Sequence, residues 1–272
     1  MTSIATNVSA VRTLHHGKNN SASIELATER LSSGSRINKA SDDAAGLFVA
    51  QRIKIAIRGM ERAINNSQDG IGLLQSAEAA VVEIRNMVLR MRELAVQMAN
   101  GVYASAPDRD YAQVEVNELL QQVDVIANNS NFNGVMLIDG SLQNIGIQSG
   151  HTASERVNIS LGNRTAAGLG LSGVSVATQQ QAMDAMESLD TALGTLSEEL
   201  SLIGAYSNRF NHTISLLGAS KRHNEISFGR VMDADIAVEA TNLSKAQVLA
   251  QANTAMLAQS NSALSNILIL FS

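Results

Sequence analysis

Residues 41–101 read SDDAAGLFVAQRIKIAIRGMERAINNSQDGIGLLQSAEAAVVEIRNMVLRMRELAVQMANG, and the fold turns on this one stretch. No proline interrupts it, and its apolar residues recur in steps of three and four, the spacing of one helical face. Ser41 is placed to cap the first turn, and Asp42 and Asp43 add negative charge where the helix dipole favours it. At the far end Asn100-Gly101 offers a left-handed residue to stop the helix. A continuous helix of this length would be about 90 Å long at about 1.5 Å per residue. Ile53, Ile57, Met60, Ile64, Ile71 and Leu74 form one apolar run, with Ser67 its polar member. Ala77, Val81, Ile84, Val88, Met91, Ala95 and Met98 form a second run, offset by one step. That pattern predicts a coiled-coil seam with a stutter, near which Gly70 and Gly72 weaken the helix. So long a helix needs others lying along it.

Composition agrees. The chain of 272 residues has no Cys, no Trp and a single proline, Pro107, so helix breakers are scarce and disulfide or thiol chemistry is excluded. Apolar residues make up 45% but aromatics only 3%, which predicts long helices packed by Ala, Leu, Ile, Val and Met. A formal charge of -5 gives no reason to expect nucleic acid or an anionic membrane as partner. The N-terminal residues 1–20 lack the apolar core and cleavage site of a signal peptide, and no stretch reaches the roughly 18 apolar residues of a membrane span. The C-terminal NILILFS is apolar but too short to span. These signals alone read as a soluble, cytoplasmic protein without membrane insertion.

Around the central stretch, Asn7 to Arg30 reads as a weak helix with Val11, Leu14, Ile24, Ala27 and Leu31 on one face, diluted by HHGKNN at 15–20. RLSSGSRINKASDD breaks it. A loop around Tyr103–Pro107 leads to a shorter helix, about Asp108 to Asn128, seamed by Ala112, Val116, Leu119, Val123 and Ile126. In residues 129–178, NSNFNGVMLIDG carries two turn signals, while Ile145/Ile147 and Val157/Ile159/Leu161 alternate with polar residues. That period of two predicts a β-hairpin within 142–161. A second long helix begins near Thr178, with Met186, Leu189, Leu193, Leu196, Leu200, Ile203, Phe210, Ile214 and Leu217 in heptad register. Lys221 and Asn224 then fall on the seam, so packing should loosen there. The tail from Asp233 is a further helix with Leu249, Ala252, Met256, Ala263, Ile267 and Leu270 on one stripe. The expected fold is mainly α: a long antiparallel helical coiled-coil bundle with a small β-hairpin insert.

The blocks TERLSSGSRINKASDDAAGL (28–47), LRMRELAVQMANG (89–101) and NFNGVMLIDG (131–140) resemble the N-terminal region of bacterial flagellin. VMDADIAVEATNLSKAQVLAQANTAMLAQSN (231–261) resembles its C-terminal region, and the match spans nearly the whole chain in order. The resemblance implies residues 1–42 and 236–272 as two halves of an inner helical core, and 43–235 as an outer helical core. It is that of a short form without the outer variable domains. It further implies a structural subunit of the extracellular flagellar filament, exported by the type III apparatus without a cleavable signal peptide. Implied partners are other subunits in a homopolymer, an export chaperone at the C-terminal helix, filament cap and junction proteins, and a vertebrate Toll-like receptor. The alternatives are a hook–filament junction protein or a minor specialised filament subunit. Where the family usually has leucine near 17, an aliphatic residue at 221 and leucine at 224, this chain has Gly17, Lys221 and Asn224. The two ends hold few large apolar groups per residue, which predicts proteolytic lability before assembly.

No catalytic, cofactor-binding or metal-ligating residue is expected. His15, His16, His151, His212 and His223 form no HExxH pattern, and adjacent His15 and His16 point to different sides of a helix. GLGLSG at 168–173 lacks the lysine of a phosphate-binding loop, so the chain does not read as an enzyme. Met60, Met87, Met91, Met98, Met183 and Met186 read as core filler. Arg90, Arg92 and Glu93 read as a solvated helix face by their types alone. By resemblance, Arg90 and Leu94, with Glu115 on the neighbouring helix, correspond to positions that serve subunit packing and innate-receptor contact in flagellins.

Overall fold

The computed structural model describes residues 6–103 and 106–270. Among them are five helices: α1 (Val8–Ser33), α2 (Ala44–Met98), α3 (Ala106–Asn129), α4 (Gln179–Met232) and α5 (Ile236–Leu270). Two antiparallel ribbons lie between α3 and α4 in the chain: β1 (Asn131–Phe132) with β2 (Val135–Met136), and β3 (Ile145–Gln148) with β4 (Arg156–Ile159). Among the described residues no helix is long and apolar enough to cross a membrane.

The helix ends obey local chemistry, though not always at the expected residue. Asn7 caps α1, its side chain accepting from the Ala10 amide at 3.0 Å, and Gly34 ends it with φ at 70°. The cap of α2 is Asp43 rather than Ser41: its Oδ1 accepts from the Gly46 amide at 2.8 Å. Asp42 instead folds the preceding turn by accepting from the Asn38 and Lys39 amides at 3.0 and 2.9 Å. At the other end Gly101 does not take up a left-handed conformation. The Ala99 carbonyl there accepts from Gln179 Nε2 at 3.0 Å, so a side chain from the start of α4 satisfies the helix end. Residues 104–105 of the expected loop lie outside the described part, and Pro107 sits in the first turn of α3.

The chain divides into two compact units, one of Met1–Ile55 with Arg222–Ser272 and one of Ala56–Lys221. In the second, the buried stripe of α2 runs Met60, Ala63, Ser67, Gly70, Leu74, Ala77, and on through the expected residues to Met98. Its steps of three and four never break, so there is no stutter. The misreading arose because Ala63 and Gly70 are small and do not announce themselves as seam residues, whereas Ile64 and Ile71 flank the seam; Ser67, also small, is expected in it. Ser67 stays satisfied by donating to the Ala63 carbonyl at 2.8 Å. Gly70 makes room for two neighbours: a Cβ there would lie 2.8 Å from Ile147 Cδ1 and 3.1 Å from Phe210 Cζ.

On α4 the buried positions are Ala182, Ala185, Leu189, Ala192, Leu196, Glu199, Ile203, Phe210 and Leu217. Half of the expected heptad holds, but Met186, Leu193 and Leu200 only flank the core, and Ala192 and Glu199 take the inner places. Gln179 meets the end of α2, while Lys221 Nζ lies 3.6 Å from Glu61 Oε1 near the start of the unit, so α4 runs antiparallel to α2. Beyond Leu217 the α4 seam carries no fully buried residue, consistent with the polar residues there.

The ribbons cover this bundle. Asn133 and Gly134, at φ of 51° and 81°, make the two-residue turn that joins β1 and β2, so a turn signal becomes a second hairpin. In the expected hairpin Ile145 pairs with Ile159 and Ile147 with Val157; Val157 and Ile159 point into the core, at 3% and 1% exposure. Burying such a side chain contributes about 1.5–3 kcal/mol.

In the first unit α1 and α5 pack antiparallel, Asn7 bonding Ser260 and Arg30 bonding Glu239. The expected seam holds on α1 at Ile24, Ala27 and Leu31 but not at its other described positions. Val11 and Leu14 on α1, and Leu249 and Met256 on α5, are exposed; the contact runs through Ala10, Gly17, Asn20, Ile24 and Ala27 against Leu243, Ala246, Ala250, Asn253 and Leu257. Small and polar residues face inward, which lets the helices approach closely. The side chains of Ile267 and Leu270 lie outside the described part. The two connections of the unit are clipped together: Ser35 bridges Asp233, the Arg36 amide donates to the Met232 carbonyl at 2.6 Å, and the Ala234 amide to Gly34 at 2.9 Å.

Candidate functional site

Arg90 and Glu115, brought together from α2 and α3, form one exposed ion pair, with Nε donating to Oε1 at 2.8 Å. Nη1 of Arg90 also reaches Glu93 Oε2 at 3.4 Å, one turn along α2. The hydrogen bond that Arg90 donates to Glu115, then the Glu115 charge, holds the Arg90 guanidinium protonated above its ordinary range. Arg92 turns the opposite way. Its Nε and Nη2 both donate to the Asp190 carboxylate on α4, the second at 3.2 Å, and this fork keeps the Asp190 carboxyl below the usual range. Two arginines two residues apart thus tie α2 to both neighbours.

Leu94 does not join that surface. It is 4% exposed and belongs to the bundle core. Because α3 and α4 both pack on α2, its buried face is wider than a two-position seam and takes in Leu94 beside Met91 and Ala95. Leu89 and Val96 of α2 are exposed, at 42% and 46%, but their helical spacing turns them away from Arg90 and toward the side of Arg92. Met183, expected in the core, is also exposed.

A buried pair escaped the sequence reading. Arg164 Nη2 bonds Glu199 Oε2, with side chains 13% and 3% exposed, and the Gly162 amide donates to Glu199 Oε1 at 3.1 Å. Glu199 therefore holds the connector after β4 onto α4. Gln113 and Asp124 of α3 hold it from the other side, accepting from the Val176 and Ala166 amides at 2.6 and 2.7 Å. Little in the sequence signals it, because the expected heptad runs through Leu200 and leaves Glu199 beside the seam as an ordinary polar residue.

The first unit exposes an unusual amount of apolar surface. Val8, Val11 and Leu14 on α1, Phe48 and Ile55 on α2, and Val248, Leu249 and Met256 on α5 all face outward. Its buried apolar residues among those described are Ala10, Ala27, Ile37, Ala50 and Ala246. Among the described residues no group of three or more His, Asp or Glu could hold a metal ion.

One unit is thus a framework of long helices strutted by ion pairs, and the other carries its large apolar side chains outward. Residues 4–143 match the bacterial flagellin N-terminal helical region, and residues 186–271 match the bacterial flagellin C-terminal helical region. The chain is 37% identical to flagellin FlaB2 of Treponema pallidum, covering 95% of each, and 34% identical to the flagellin of Bacillus subtilis, covering 96% of this chain and 97% of that one. The crystal structure of Bacillus cereus flagellin aligns at a TM-score of 0.50 and 30% identity, covering 56% of this chain and 88% of that chain. A putative flagellar hook-associated protein from Vibrio parahaemolyticus shares the fold at a TM-score of 0.59 but 14% identity, covering 71% of this chain and all of that one. The chain belongs to the bacterial flagellin family, whose members are structural subunits of the flagellar filament.

Proposed function

We propose that this chain self-assembles into an extracellular flagellar filament, with residues 1–42 and 236–272 as its inner helical core and 43–235 as its outer core. The observation that carries this reading is the inverted first unit, whose large apolar residues face outward around a core of little more than alanines. A surface of that kind is stable in water only when copies of the chain cover it. The free chain, by the same reasoning, is cleaved at its ends and leaves a fragment near 45–235.

Export without a cleavable signal, a chaperone on the exposed stripe of α5, and cap and junction partners follow from family membership. The exposed Arg90–Glu115 pair is the surface we assign to subunit packing and innate-receptor contact, with Leu94 acting beneath it. The test is seeded growth: purified chain added to filament fragments elongates them into micrometre-scale fibres. A folded chain that fails to elongate them would favour the junction reading.

A further inference from the structure

The seam between α1 and α5 is built mostly of small and polar residues, with Ile24, Leu243 and Leu257 as its few large apolar ones. Moving along α1 by one heptad exchanges Ala10 for Gly17, Thr13 for Asn20 and Asn20 for Ala27; along α5 it exchanges Leu243 for Ala250 and Ala246 for Asn253. Most exchanges replace one small or polar residue with another. The exceptions, Gly17 for Ile24, Leu243 for Ala250 and Ala250 for Leu257, move large apolar groups along the seam without changing their number much, so an apolar count only weakly distinguishes the native pairing from a slipped one. The polar contacts do distinguish them. Arg30 Nη1 meets Glu239 Oε1 at 2.9 Å, with side chains only 23% and 10% exposed. Asn20 Nδ2 donates to the Ala246 carbonyl at 3.3 Å, and Asn7 exchanges two bonds with Ser260, at 3.1 and 3.0 Å. A slip of one heptad would leave Glu239 covered and without its arginine.

Stability alone does not account for this pair. Arg30 Nε is buried with no acceptor, and a partly desolvated ion pair commonly contributes less than apolar side chains of the same size. A polar contact at one seam position is, however, an effective way to specify register. We propose that Arg30 and Glu239 are positioning residues that set α5 against α1 in a single register, with Asn20 and Asn7 as further rungs. Their effect is to present Val11 and Leu14 of α1 and Leu249 and Met256 of α5 to a neighbouring copy in fixed alignment. Only this last step rests on the filament reading.

The chain has no cysteine of its own, so an introduced pair can be read without background. The rungs at Asn7–Ser260 and Asn20–Ala246 bracket Gly17 and set Ala250 opposite it. In the full-length chain, Gly17→Cys with Ala250→Cys reports the native register, and Gly17→Cys with Leu257→Cys reports a one-heptad slip. Each reporter is combined with Glu239→Arg and with the exchange Arg30→Glu/Glu239→Arg, and read by oxidation and gel shift. Glu239→Arg should lower the ratio of native to slipped cross-link about fivefold and slow seeded elongation, and the exchange should bring both back to within about twofold of the parent. An unchanged ratio in Glu239→Arg, or no recovery in the exchange variant, overturns the proposal. Failure of the parent chain to elongate seeds overturns the filament reading instead; oxidation traps whichever pairing the labile ends sample in the free chain, so the cross-link ratio still decides the register.

Discussion

Leu94→Ala separates a core role from a surface role at the position beside Arg90. The leucine is 4% exposed and lies among Met91, Ala95 and Met98. Truncation removes about three methylene equivalents at about 0.8 kcal/mol each, and the rigid walls of α3 and α4 add a cavity term. The expected loss is about 3 kcal/mol, within the range of about 2–5 kcal/mol for buried leucines. At about 2–4 °C per kcal/mol, that lowers Tm by about 6–12 °C. Arg90→Ala, made in parallel, removes a half-exposed side chain and should leave Tm within about 2 °C while weakening seeded elongation. Scanning calorimetry of the full-length monomer gives the first readout and fibre growth the second. A Tm drop below about 2 °C for Leu94→Ala would refute its placement in the core.

Glu199→Leu strands Arg164 in the bundle and should cost about 3–5 kcal/mol in urea unfolding, while Arg164→Met with Glu199→Leu should recover most of it. Gly17→Ala adds a methyl where no atom lies within 4 Å, so it should raise the stability of α1 by about 0.5–1 kcal/mol, read as helicity by circular dichroism. Acid should act through carboxylates held below their usual range: Asp190 by Arg92, and Asp42 by the Lys39 and Asn38 amides. Their contribution is whole above the unfolded-state pKa of about 3.9 and is lost as pH falls through the lower folded value. Tm should therefore be flat from about pH 7 to 5 and decline below about pH 4, and a decline that begins near neutrality would contradict this assignment.

Local and periodic features were readable directly from the residues. Helical spacing without proline dictates α2, and alternation at Ile145–Ile147 and Val157–Ile159 dictates the β3–β4 ribbon, because each pattern has one geometry that puts its apolar side chains together. The family blocks identified the class of protein for the same reason: they lie in a framework whose order along the chain is set by sequence.

Which neighbour covers each face could not be read that way. Leu94 looks like an outer residue until α3 and α4 are both in place; then the buried arc of α2 widens to include it. Glu199 lies just off the heptad read from the sequence, yet Arg164, 35 residues away, makes it the buried anchor of a connector. On α1 and α5 Val11, Leu14, Leu249 and Met256 suggested the seam, yet they lie outside it, and Ala10, Gly17, Ala246 and Ala250 share it with Ile24, Leu243 and Leu257. Periodicity says that a face will be covered. Only the packed chain decides what covers it, since burial depends on partners distant in sequence, and no residue carries its partner's address.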